Sequence, residues 1–145
     1  MVPLATTSER QRQSNPRKIY PVDPGLAAAF DRSGKTNLGG HLETLVAVEL
    51  ERRGWETGYL NTESGYEVDF FSRDLSGHSW LIQVCADLSQ QRVREREVRA
   101  LLEAQASHPR AKCLLLTQSM VDCQTGTDGI QVMPTWQWLL TGASG

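Results

Sequence analysis

At 145 residues the chain is long enough for one domain with its own core and too short for two. Hydrophobic residues at 39% and charged residues at 22% exclude wholesale disorder and a disulfide scaffold. Fifteen Lys and Arg against seventeen Asp and Glu give a net charge of −2, which excludes a generally basic surface and restricts any nucleic-acid contact to a local patch.

Residues 1–16 are rich in Ser, Thr, Gln, Arg and Pro without periodicity, and are expected to form a flexible lead-in to a single domain over 17–145. Lys18 to Phe30, KIYPVDPGLAAAF, combines a short apolar run, two prolines and a compact helical piece, and reads as a cap on the fold. Gly34-Lys35-Thr36 has the form of the end of a phosphate-binding loop. The loop's first glycine would fall at Ala29, however, and LAAAF is a helix former where a strand is required.

The first long helix is expected over Asn37 to Gly54: Leu38, Leu42, Leu45 and Val46 recur at spacings of three and four, Thr36 or Asn37 caps the start and Gly54 stops it. Three strands follow at 55–60, 66–72 and 79–86, with turn residues at 61–65 and 73–77, as an antiparallel meander. A second helix over Gln90 to Ala106 is preceded by Asp87 and Ser89 as candidate caps and closed by His108-Pro109. Cys113 to Thr117 is nearly all apolar and is expected as a strand buried on both faces. A turn at Asp128-Gly129 leads to a fifth run at 130–133 and a terminal helical piece, with Trp80, Trp136 and Trp138 expected in the core or as a closing lid.

Cys85, Cys113 and Cys123 form an odd set without CxxC spacing, and His41, His78 and His108 sit at unrelated spacings, so neither residue type indicates a metal cluster. The cysteine usage points to a reducing compartment. With no apolar run near the roughly 18 residues of a membrane span and no signal-peptide core, a cytoplasmic protein without membrane contact is expected.

Polar groups interrupt two of the strands. Period-two alternation puts Glu67, Asp69 and Phe71 on one side of YEVDFFS, and Tyr66, Val68 and Phe70 on the other. In WLIQVCA it groups Leu81, Gln83 and Cys85 opposite Trp80, Ile82 and Val84. A hairpin pivoting at Ser76 would set Asp69 against Gln83 and Glu67 against Cys85. A mid-strand aspartate is disfavoured by propensity and costly to bury unless paired. Asp69 and Gln83, reached by Glu43 from the first helix, therefore make an oxygen-rich candidate cation pocket.

A helix bearing Glu43, then EVDF, then Gln83-x-Cys85, then a helix near REREVRAL resembles the PD-(D/E)XK nuclease superfamily in order and spacing. More narrowly, KIYPVDPGL, GGHLETLVAVELERRG, GYEVDFF, LIQVCADL and REREVRALL resemble, over residues 17–117, the domain that follows the ATPase module in prokaryotic AAA-type ATP-binding proteins. The ATPase module itself is absent from this chain. The resemblance implies an α/β fold of restriction endonuclease-like type, an αβββαβ core with a mixed four- or five-stranded sheet flanked by helices. It further implies strand-borne acids that hold Mg²⁺ and a lysine that assists phosphodiester cleavage. By position Glu43 matches the helix acid, Asp69 the metal-binding aspartate, Gln83 the second acid and Cys85 the lysine.

Two of those four depart from the catalytic pattern. Gln83 keeps an oxygen ligand but removes a charge, so Mg²⁺ held by Asp69 and Gln83 would be weakly bound. Cys85 supplies no permanent cation, and a thiol among apolar neighbours stays protonated. Arg92, Arg96 and Arg99 fall on one face of the second helix, and Arg96 is the favoured substitute cation, able to stabilise a phosphorane but too firmly protonated to be a base. The expected function is a degenerate, non-cleaving nuclease-like domain that binds DNA, RNA or a partner within an AAA-type ATPase system. An active Mg²⁺-dependent nuclease and a structural protein-interaction domain are the alternatives.

Overall fold

Asn37 opens the first helix, α1 (Leu38–Arg52), its side-chain oxygen accepting from the Gly40 N–H at 3.0 Å. Gly54, at φ +70°, ends it in the left-handed region open to glycine. In the computed structural model, which describes residues 1–5, 17–23, 25, 37–124 and 129–141, there follow β1 (Glu56–Asn61), β2 (Glu67–Arg73), β3 (Ser79–Cys85), α2 (Gln91–Ser107), β4 (Lys112–Thr117), a 3-10 turn (Val121–Gln124), β5 (Ile130–Pro134) and α3 (Thr135–Thr141). The order is αβββαβ with one further strand and helix. Residues 6–16, the helical piece toward Phe30 and Gly34-Lys35-Thr36 lie outside the described residues.

The strands form one mixed sheet in the order β1-β2-β3-β4-β5. The first three pair antiparallel, as short turns allow, and β3-β4 and β4-β5 pair parallel, the β3-to-β4 connection running through α2. One face, under α1 and α3, buries Val46, Leu50, Phe70, Ile82, Leu114, Leu116 and Trp138. The other, under α2, buries Val68, Leu81, Leu101, Cys113 and Leu115. Covered on both sides, β4 is the doubly buried interior strand its apolar run implies.

The register between β2 and β3 is the one a pivot at Ser76 gives, with Phe70 opposite Ile82 and Ser72 opposite Trp80. The facing of β2 is not the expected one. Gly58 pairs with Phe71 and Leu60 with Val68, so Tyr59 alone stands opposite both Asp69 and Phe70. That bulge reverses the alternation: Phe70 enters the α1-side core while Val68 stays on the α2 side. Glu67 and Asp69 consequently turn toward α1, and do not share a face with Phe71.

Three further expectations are corrected. The lead-in does not stay free at its start: Val2 is buried and pairs antiparallel with Lys18, while Leu4 bridges Tyr59 in parallel. Val2-Pro3-Leu4 alternates apolar groups at period two, enough to add a short edge to the sheet. Gly58 makes this possible, since a Cβ there would lie 2.9 Å from the Pro3 carbonyl oxygen. Helix α2 starts at Gln90 without a side-chain cap, because Asp87 spends its carboxylate on the Ser89 N–H at 2.8 Å. Trp80 and Trp138 are core residues, but Trp136 is 52% exposed.

Candidate functional site

The bulge and the splayed end of the β2-β3 ladder bring polar groups from four segments to one cleft of about 540 Å³. Glu43 projects from α1 one turn before Val46 and two before Leu50, both fully buried. Asp69 and Glu67 come from β2, Gln83 and Cys85 from β3, Arg96 and Glu97 from α2. All five residues singled out from sequence, Glu43, Asp69, Gln83, Cys85 and Arg96, line this cleft.

Their partners differ from the expected set. Asp69 and Gln83 meet through a backbone contact, the Asp69 N–H donating to Gln83 Oε1 at 3.2 Å where the ladder would otherwise continue. The other end of the Gln83 amide donates to Glu97 Oε2 at 2.7 Å. Glu97, only 4% exposed, is not part of a solvated charge face: it shares the inward stripe of α2 with Ala100, Leu101 and Ala104. Arg96, whose side chain is 65% exposed, gives its guanidinium to Glu97, so it is not the cation that Asp69 meets.

That cation is Lys18. Its ammonium lies 2.7 Å from Glu67 Oε1, 3.1 Å from Glu43 Oε1 and 3.2 Å from Asp69 Oδ1. Tyr20 donates its hydroxyl to the same Glu43 oxygen and packs its ring on Phe70 at 5.6 Å. Lys18, Tyr20, Glu67 and Glu97 were all missed as site residues. No local signal marked Lys18 and Tyr20, because hydropathy would turn Ile19 inward, whereas it is 74% exposed and its two neighbours turn inward.

Burial acts against charge at Asp69, Lys18, Tyr20 and Cys85. Asp69, 8% exposed, is raised well above the ordinary carboxylate range, to about 7, by burial first and by repulsion from Glu43 second; Lys18 and the Val84 N–H, 2.9 Å from Oδ2, pull it back. For Lys18 burial favours the neutral amine, but the surrounding carboxylates outweigh it and hold the ammonium above its usual range. Tyr20 is raised by burial and by its bond to Glu43, so it stays a donor. Burial also raises the Cys85 thiol, which donates to the Asp87 carbonyl at 3.3 Å and cannot replace a lysine's charge.

A divalent ion does not fit this arrangement. Mg²⁺ needs near-octahedral oxygen donors with excess negative charge. Here both Asp69 oxygens are engaged, Gln83 Oε1 accepts from the backbone, and an ammonium already stands among the three carboxylates.

Beside the acid cleft, and sharing Tyr66 and Arg96 with it, runs a groove of about 480 Å³ lined also by Arg92, Val93, Glu95 and Arg99. The three arginines are exposed, as their spacing on α2 implies. Arg99 lies over the Tyr66 ring at 6.0 Å and donates to its hydroxyl at 3.2 Å.

Among the described residues no helix is long and apolar enough to cross a membrane. Neither a family model nor a solved structure matches the chain. The chain is similar to the uncharacterized protein MJ1544 of Methanocaldococcus jannaschii, with 32% identity over 134 residues, 86% of this chain and 29% of that protein. It therefore spans less than a third of that relative's length.

Proposed function

We propose that this domain is a degenerate nuclease-like module that binds nucleic acid without cutting it, and that it works within an AAA-type ATPase system. The observation that carries the binding half is the arginine groove on α2, where Arg92, Arg96 and Arg99 stand exposed along one wall beside Tyr66. Guanidinium groups at this spacing suit successive phosphates, and an aromatic face alongside suits a base. The non-cleaving half is supported by Gln83 and Cys85 at the positions of an acid and a lysine, and by the engagement of both Asp69 oxygens. The longer relative is in keeping with a domain that also occurs within larger chains.

Labelled single- and double-stranded DNA and RNA test this reading, with binding measured against salt and products inspected after incubation with Mg²⁺ or Mn²⁺. The expected result is salt-sensitive binding with no cleavage. Replacing Arg92, Arg96 and Arg99 together by Gln should weaken affinity by about tenfold or more and flatten the salt dependence by up to about three phosphate contacts. Metal-dependent products that vanish in Asp69→Ala would establish the active-nuclease reading instead. No binding at low salt would leave the protein-interaction reading.

A further inference from the structure

Glu43, Glu67 and Asp69 place three carboxylates around one ammonium, from elements otherwise held apart by the sheet and α1. Glu43 and Asp69 interact unfavourably, and burial adds to the penalty. Without a cation between them the cluster would repel itself open or take up protons. In nuclease-like sites the remedy is a metal, and here an ammonium already stands where one would sit. The remedy in this cleft is a side chain.

The seating of that side chain does not depend on charge alone. Lys18 exchanges both backbone hydrogen bonds with Val2, at 2.8 and 2.9 Å, and Val2 is buried in the α1-side core. Residues 3–5 bond to β1, Tyr59 N–H donating to the Pro3 carbonyl and Ala5 N–H to the Tyr59 carbonyl. Two positions on, Tyr20 rests on Phe70 and donates to Glu43. The ammonium is thus delivered by a packed segment, and its position is fixed by contacts on both sides of it.

We propose that Lys18 is the resident cation of this cleft, a tethered ammonium that holds Glu43, Glu67 and Asp69 together in the role a divalent ion would otherwise fill. It is a positioning residue: it sets the geometry of the acids and keeps free divalent ions out. The lysine side chain suits the task, being a compact point charge with three donors for three acceptors. This goes beyond the nucleic-acid reading and stands or falls without it, because its test contains no nucleic acid.

Mn²⁺ binding to the full chain, followed by the paramagnetic resonance of free Mn²⁺, separates the outcomes. The protein as it stands and Lys18→Arg should bind Mn²⁺ only weakly. Lys18→Met, which keeps length and apolar stem but removes the charge, should bind at least about tenfold more tightly and gain a chelator-reversible rise in Tm with Mn²⁺. Equal Mn²⁺ affinity in the unaltered chain and Lys18→Met would overturn the proposal. Should Lys18→Met not fold, the ¹⁵N signal of the Lys18 ammonium in the unaltered protein decides: it should persist through a millimolar Mg²⁺ titration, and its displacement by Mg²⁺ would refute the assignment.

Discussion

Phe70→Ala is expected to remove about 3–5 kcal/mol of stability, measured by chemical denaturation. The ring is fully buried in the α1-side core, and it reaches that core only because the bulge opposite Tyr59 turns it there. Truncation leaves a cavity between α1 and the sheet, whose lining can collapse only partly. It also removes the surface on which the Tyr20 ring rests, and with it one of the two supports of the segment carrying Lys18. Phe70→Leu, which keeps most of the volume, should cost about 1–1.5 kcal/mol. A loss under about 1 kcal/mol for Phe70→Ala would mean that the ring does not occupy the core as described.

Trp138→Ala should be comparably damaging, at about 3–5 kcal/mol. Trp138 is the largest fully buried side chain among the described residues, and it joins α3 to α1. The Arg53 guanidinium lies 4.5 Å from its ring and donates to its backbone carbonyl at 3.0 Å, while Arg53 Nε is held by Glu49 at 2.6 Å. The substitution therefore removes both the filled volume and the apolar face under the cation. The indole N–H has no hydrogen-bond partner among the described residues, so Trp138→Phe loses volume but no bond and should cost only about 1–2 kcal/mol. Equal losses for Phe and Ala would show that the N–H, and not the packing, carries the effect.

The contrast between these two residues also shows what could be read from the chain. Element types followed from period: α1, the meander, α2 and β4 begin and end within a residue or two of where apolar spacing, Gly54 and the turn residues put them. The β2-β3 register is the one that a pivot at Ser76 would give, a choice the sequence alone leaves open, and Phe70 does stand opposite Ile82. Which way Phe70 points did not follow, because alternation assumes an unbroken ladder and a bulge adds a residue that no local pattern announces.

The site was legible to the same degree. Glu43, Asp69 and Gln83 were marked by being polar where the surrounding pattern is apolar, and they do line one cleft. Lys18 escaped notice because its neighbours are prolines and an exposed isoleucine, and its ties run to residues 25 and 51 positions away. Glu97 was readable: it falls three, four and seven positions before Ala100, Leu101 and Ala104, but the arginines around it suggested a wet face.

The distance along the chain between Lys18 and Asp69 bears on how the molecule assembles. The two hairpins of the meander close over a few residues each, whereas seating the first segment must fix an interval of 51 positions before its contacts repay the lost freedom. That segment is therefore expected to arrive late in folding, docking onto a sheet already formed. Loosening it, as by altering Lys18, should hasten unfolding in stopped-flow traces while leaving the refolding rate nearly untouched.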